Sequence, residues 1–231
     1  MEGAGLENKD ISAVIFDIDG TLVDTFEVYQ NVFNQGIAPY GVAPVAQEIL
    51  REYLAKGLSL RQILQNIFPG PIDNETYAAC RTDIINRFKE AELDEVKPFP
   101  GAEELLGHLQ QKGIKIGVAT GRVSSCEDEW IRFARLGLDR YISAIVTSKE
   151  VQNRKPAPDV IIECARKLNV PPENCIAIGD TVSDIIAARR AGSMVAAVTT
   201  GHEDEELLLK EGPDILFHSL SDLIVYLERN L

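Results

Sequence analysis

Nowhere in this chain do 18 apolar residues run together, so no membrane-spanning helix is expected. Met1 to Asp10 is polar and acidic and lacks an apolar core segment, so a secretory signal is not expected there. Cysteine is sparse: Cys80, Cys126, Cys164 and Cys175 show no C-x-x-C spacing. The plain expectation is four reduced, mostly buried thiols in a cytoplasmic protein. The three histidines, His108, His202 and His218, are scattered and suggest no zinc site. No G-x-x-x-x-G-K-[ST] run appears, which disfavours a Walker-type nucleotide-binding protein. Positive charge is also short, with 23 Lys and Arg against 36 Asp and Glu, a net charge of −13. A nucleic-acid groove needs a basic stripe, so no nucleic-acid partner is expected, and no anionic membrane surface. Any small anionic ligand must then be met by a few local cations.

What is present fills a core. The 231 residues are 45% hydrophobic, enough for one full core and a small second unit. Short apolar runs recur at Ala13–Ile18, Ile114–Ala119, Ala144–Thr147, Ile176–Ile178, Met194–Val198 and Asp214–Phe217. Helical periodicity separates most of them, as in Ala102–Lys112, Asp159–Leu168, Val182–Ala191 and Glu203–Lys210. This alternation, with nearly continuous apolar strands, predicts an α/β fold with a doubly wound parallel sheet. One interval breaks it. Phe26 to Val96 has helical patterns and no convincing strand, and Pro39, Pro44, Pro69 and Pro71 punctuate it into four or five helices. Such a length is far beyond a crossover loop. It reads as an inserted all-helical unit, so the division expected is residues 1–25 and 97–231 as the α/β core and 26–96 as the insertion. An insertion at the C-terminal edge of a strand sits where open α/β sheets place ligands, and a lid is one reading of it; a decoration without ligand contact is the other. Neither an internal repeat nor a low-complexity segment is evident.

The richest segment is Ile15-Phe16-Asp17-Ile18-Asp19-Gly20-Thr21-Leu22-Val23-Asp24-Thr25. Asp17 and Asp19 close an apolar strand that Gly20 ends. Buried unpaired carboxylates are expensive, and two charges at an assumed ~4 Å repel by about 4 kcal/mol at an effective dielectric of about 20. A divalent cation is the simplest compensation, and hard Mg²⁺ takes one or two carboxylates while leaving room for phosphate oxygens. The competing reading is a strand-end turn whose acids face water.

Three further sites follow predicted strands. Thr120-Gly121-Arg122 offers a hydroxyl and backbone N–H groups that can hold phosphate oxygens, although Thr-Gly is also a common turn. Lys155 lies in Arg154-Lys155-Pro156-Ala157-Pro158. The two prolines stiffen this loop and place the next helix start near Asp159, so the ammonium is a fixed point charge or a solvated lysine before a helix. In Ile178-Gly179-Asp180-Thr181-Val182-Ser183-Asp184 a strand breaks and a helix opens. Thr181 and Ser183 suit its first turn. Asp180 and Asp184 can face one side, as metal ligands or as acids near a helix N-terminus.

In this order, Asp-x-Asp-Gly-Thr, Thr-Gly, Lys-Pro and Gly-Asp-x-x-x-Asp, the chain resembles the haloacid dehalogenase (HAD) superfamily, and the resemblance covers essentially its whole length. The stretch from Gly201 through Gly212-Pro213-Asp214 to Ser219–Leu223 is similar to the phosphoglycolate-phosphatase-like branch. The resemblance implies a HAD-like, Rossmann-type core, the strands that end at Asp17, Thr120 and Asp180 side by side, and a small helical cap. It also implies residue roles. Asp17 is the nucleophile and binds Mg²⁺. Asp19 is the acid/base, with its backbone carbonyl on the metal. Thr120 holds the transferring phosphoryl group, and Lys155 pairs with Asp17 and phosphate. Asp180 binds the metal, Asp184 belongs to the metal site, and Thr21 and Asp24 order the loop. Gly121 and Arg122 join the candidate substrate contacts, as do Lys56 and Arg61 of the insertion; Arg122, Lys56 and Arg61 are equally readable as solvated side chains.

The implied activity is a Mg²⁺-dependent phosphatase acting on a small phosphomonoester, phosphoglycolate-like or a sugar phosphate, through an aspartyl-phosphate. Dehalogenases and phosphonatases of the superfamily lack the second acid, which is Asp19 here. Phosphosugar mutases resemble the chain around Lys56-Gly57-Leu58-Ser59, but carry a histidine about twelve residues past the nucleophile, where this chain has Tyr29. A mutase and a catalytically silent binding module are the competing readings.

Overall fold

The structure, a computed structural model, describes residues 10–55, 58–201 and 203–230. The chain divides into two compact units. One is built from the segments up to Asp24 and from Pro98 onward, the other from Thr25–Lys97.

Six parallel strands form the sheet of the first unit: β1 (Ala13–Phe16), β4 (Lys115–Thr120), β5 (Ala144–Thr147), β6 (Cys175–Gly179), β7 (Met194–Val198) and β8 (Ile215–Phe217), in the order β5-β4-β1-β6-β7-β8. A second, two-stranded sheet pairs β2 (Val23–Asp24) with β3 (Lys97–Pro98). Both neighbours of β1 are in register at its end, with Phe16 opposite Val118 on β4 and Ile178 on β6. Strand order therefore reverses at β1, the point where open α/β sheets form their ligand crevice. Ala13 to Phe16 are fully buried, as a strand covered by helices on both faces requires.

The helices of this unit are α5 (Ala102–Gln111), α6 (Cys126–Arg135), α7 (Asp159–Leu168), α8 (Val182–Ala191), α9 (Glu205–Lys210) and α10 (Leu220–Asn230). Val160, Ile161, Cys164 and Leu168 of α7 and Ile185 and Ala188 of α8 pack with strand residues Ile15, Val146, Ala177 and Val195 in one core. The fold class is the one expected, a doubly wound parallel sheet with a helical insertion. Two helices, α6 and α10, lie outside the stretches named from the periodicity, and α9 starts two residues later than it suggests because Asp204 caps it.

Among the described residues, every regular element of the insertion is a helix. Its elements are α1 (Phe26–Ile37), a 3₁₀ turn at Ala38–Tyr40, α2 (Gln47–Ala55), α3 (Leu60–Ile67) and α4 (Asn74–Asp94). It has its own core of Phe33, Ile37, Leu50, Ile63, Leu64 and Ile84. Among the described residues no helix is long and apolar enough to cross a membrane. All four cysteines are free thiols.

Candidate active site

Three adjacent strand ends bring the site together. The Asp17 amide, one residue past β1, donates to the Ile178 carbonyl at 2.9 Å, so the sheet ladder itself fixes this backbone. Asp180 follows β6 directly, and Thr120 is the last residue of β4. Lys155 reaches in from the loop before α7. Its ammonium donates to Asp17 Oδ1 at 2.8 Å, Asp184 Oδ1 at 2.6 Å and the Ala119 carbonyl at 2.7 Å. All three donor sites of the ammonium are thereby used.

Asp184 stands at the start of α8. Thr181 caps that helix, and the cap is reciprocal: the Asp184 amide donates to Thr181 Oγ1 at 3.2 Å and the Thr181 amide donates to Asp184 Oδ2 at 3.1 Å, which the Thr181 hydroxyl also meets at 2.6 Å. A capping box thus holds one carboxylate in place while its other oxygen meets Lys155. Asp180 receives a hydrogen bond from the Thr21 hydroxyl on Oδ1 at 2.9 Å. Its Oδ2 is buried with no hydrogen-bond donor among the described residues. Two glycines let it sit there. A Cβ on Gly20 would lie 2.3 Å from Asp180 Oδ2, and one on Gly201 only 1.8 Å away. Gly20 also has φ +78, which a side chain would resist.

One oxygen each of Asp17, Asp180 and Asp184 fall within 4.8 Å of one another. Burial pushes the Asp17 carboxyl up to about 7: Lys155 opposes this, but Asp184 and Asp19 reinforce it. Asp180 is raised as well, by burial first and then by Asp184 and Asp17. Burial alone would lower the Lys155 ammonium, yet Asp17 and Asp184 outweigh it and hold it above its ordinary value. The charges do not cancel, because three carboxylates face one ammonium. The excess matches a divalent cation, and the oxygen-only donor set with an orphaned buried Oδ2 suits a hard one such as Mg²⁺. The residues present therefore fit that group.

Asp19 has a separate partner. The Arg122 guanidinium forks onto it, with Nε 2.7 Å from Oδ2 and Nη2 2.5 Å from Oδ1. The Arg122 amide donates to Thr120 Oγ1 at 3.2 Å. Ser148 holds the loop, its hydroxyl donating to the carbonyls of Gly121 at 2.9 Å and Arg122 at 2.8 Å.

Of the residues singled out in the sequence, the structure brings together Asp17, Asp19, Thr120, Gly121, Arg122, Lys155, Asp180 and Asp184. Arg61 is engaged inside the helical unit, donating to Asn74 Oδ1 at 2.6 Å and lying 4.8 Å from the Tyr77 ring centroid. Lys56 lies outside the described residues. Sequence reasoning missed Ser148, Gly201 and Glu129. Ser148 follows the end of β5, a position a strand-end search could have flagged, whereas nothing in the sequence marks a buried Glu129.

A sequence profile described as haloacid dehalogenase-like hydrolase matches residues 14–198. The chain belongs to that family. Among curated relatives of this haloacid dehalogenase-like hydrolase, phosphoglycolate phosphatase of Escherichia coli strain K12 is 25% identical, over 94% of this chain and 92% of its own. N-acetylmuramic acid 6-phosphate phosphatase of Pseudomonas aeruginosa is 28% identical, over 98% and 99%. A solved Thermotoga maritima structure, assigned as a beta-phosphoglucomutase, superposes with a TM-score of 0.78 at 27% identity, covering 96% of this chain and 100% of its own. The expectation of a phosphatase of this family agrees with the two curated relatives, both named phosphatases.

Proposed function

We propose that the chain is a Mg²⁺-dependent phosphatase that hydrolyses a small phosphomonoester through an aspartyl-phosphate on Asp17, with 2-phosphoglycolate the first candidate substrate. The observation that carries this reading is the three-carboxylate cluster, two of whose members, Asp17 and Asp184, Lys155 bridges. Nothing structural requires such a concentration of buried charge at the centre of a sheet edge. Membership of the family and its phosphatase relatives support the same reading.

Residue by residue, a carboxylate oxygen of Asp17 attacks phosphorus, and the ester P–O bond breaks. Asp19 gives its proton to the leaving alkoxide. In the second step Asp19 takes a proton from water as the water oxygen attacks phosphorus. The bond to Asp17 breaks and inorganic phosphate leaves, the two-step logic of covalent catalysis by a carboxylate. Lys155 offsets negative charge on Asp17 and on the transferring group, and Thr120 and the Gly121 backbone hold phosphoryl oxygens. Asp17, Asp180, Asp184 and the Asp19 carbonyl would hold Mg²⁺, which would supply charge neutralisation at the phosphoryl oxygens. Four free thiols fit a cytoplasmic site of action.

A mutase is favoured by the Thermotoga maritima likeness and by the resemblance around Lys56-Gly57-Leu58-Ser59. Against it, Tyr29 occupies the place of the mutase histidine and packs its ring on Phe33 and Phe88 at 6.1 and 5.9 Å between centroids. The test is phosphate release from a panel containing 2-phosphoglycolate, sugar phosphates, nucleotides and pyrophosphate, with Mg²⁺ or EDTA. Metal-dependent release that vanishes in Asp17→Asn is the expected result. Isomerisation of a hexose 1-phosphate without release would instead establish a mutase.

A further inference from the structure

The two-step chemistry leaves one buried charge unused. Glu129 on α6 is fully buried, although its neighbours Glu127 and Asp128 face solvent. Taking a carboxylate out of water costs several kcal/mol unless it is well paired, so its position needs a reason. Glu129 Oε1 accepts hydrogen bonds from the Ser124 hydroxyl and from Arg132 Nη1. Its Oε2 lies 3.6 Å from Arg122 Nη1. The same guanidinium forks onto Asp19 through its other edge. At 3.6 Å Glu129 acts on Arg122 through charge rather than a hydrogen bond, its Oε2 having no hydrogen-bond donor among the described residues. A planar guanidinium drawn toward a buried carboxylate on one edge favours one orientation of the other. The loop between them is pinned too, because Thr147 donates to the Ser124 carbonyl at 2.9 Å and Ser148 holds the Arg122 carbonyl.

We infer that Glu129 and Arg122 form a positioning relay for Asp19: Glu129 sets the guanidinium plane, and Arg122 aims the Asp19 carboxyl group at the ester oxygen. The inference rests on the phosphatase reading above. Arg122 is a positioning residue in this scheme, because it acts through Asp19. A carboxyl group has about four lone-pair sites, so a fork on one side fixes its plane and leaves other sites for a proton partner. Charge-assisted bidentate pairs carry this kind of geometric control. A misplacement of about 1 Å can cost about a hundredfold in rate, so the relay has a measurable effect even without touching substrate.

The test compares phenyl phosphate with p-nitrophenyl phosphate, in Mg²⁺, for the parent chain, Arg122→Met, Arg122→Lys, Glu129→Gln, Glu129→Leu and the double variant Arg122→Met with Glu129→Leu. The nitro group makes the leaving phenolate a far weaker base, so p-nitrophenyl phosphate needs little help from a positioned acid. For Arg122→Met we expect kcat/KM to fall about ten- to a hundredfold with phenyl phosphate, and severalfold less with p-nitrophenyl phosphate. Arg122→Lys should recover part of the loss, and Glu129→Gln should lose less than Arg122→Met with the same leaving-group pattern. The double variant should lose less than the product of its single effects, because coupled residues are not additive. It also removes both partners of the buried pair, so it reports even where Arg122→Met alone does not fold. An equal fall with both esters, a rise with phenyl phosphate, or multiplicative single effects would overturn the relay while leaving the phosphatase intact. No release by the parent chain would instead remove the phosphatase reading, and the relay with it.

Discussion

At the scale of single residues, the site is held by a charge imbalance. Lys155 is 7% exposed and its partners Asp17 and Asp184 are 12% and 10% exposed. Removing one partner from such a buried set leaves charge uncompensated and costs about 3–5 kcal/mol. Lys155→Met should therefore lower the melting temperature by several degrees as well as stop phosphate release, which thermal melts alongside the release assay will check. Asp17 also makes stability depend on pH. Its folded carboxyl titrates near 7 rather than at 3.8, so the folded state keeps a proton that the unfolded chain gives up. That contribution is complete below the unfolded value and is lost as pH rises through the folded one. In EDTA, melts of the parent chain should decline between pH 4 and about 7 more steeply than those of Asp17→Asn. Mg²⁺ should stabilise more at pH 8 than at pH 5, since its ligands bind deprotonated. Equal slopes for parent and variant would show that Asp17 is not the group responsible.

At the scale of elements, capping chemistry decided what was legible. α7 and α8 have the bounds that sequence alone indicates, Asp159–Leu168 and Val182–Ala191, because Pro158 and Thr181 mark their starts. α6 escaped notice because its charged residues mask the apolar stripe, and because its buried face includes Glu129. A signal was nevertheless available: Ser125 and Asp128 form a capping box, as Thr181 and Asp184 do. The strand ends of the candidate site were readable because each motif sits just past an apolar run. The Arg122–Asp19 fork joins residues more than a hundred positions apart, and no local pattern encodes it. Within the insertion, Gly36 on α1 carries a further prediction. Alanine is ordinarily the better helix former by about 1 kcal/mol. Here a Cβ on Gly36 would lie 2.4 Å from Ile84 Cγ1. Gly36→Ala should thus destabilise the chain by about 1–3 kcal/mol through overpacking, seen as an earlier midpoint in urea; a gain in stability would show that α4 yields at this contact.

At the scale of the whole molecule, each unit has its own core, and all three clustered carboxylates belong to the α/β unit. A ligand that binds only the folded form stabilises it by about 2.7 kcal/mol at a hundred times its dissociation constant. Hydrogen exchange with and without Mg²⁺ should accordingly show added protection at Asp17–Thr21 and Gly179–Thr181, with Ile63 and Leu64 of the helical core unchanged. Protection spread equally over both cores would mean that they open as one cooperative body. The net charge of −13 adds to this expectation, since a bound dication relieves part of the self-repulsion of an acidic chain.

The two-stranded sheet of Val23–Asp24 and Lys97–Pro98 has a practical consequence. Strands in one ladder lie about 4.8 Å apart, so the chain leaves the α/β unit and returns to it at neighbouring points. A short loop can bridge such a gap. The α/β unit is therefore a ready host for transplantation: its helical passenger can be excised, or exchanged for another of any length, without rethreading a single strand of the main sheet.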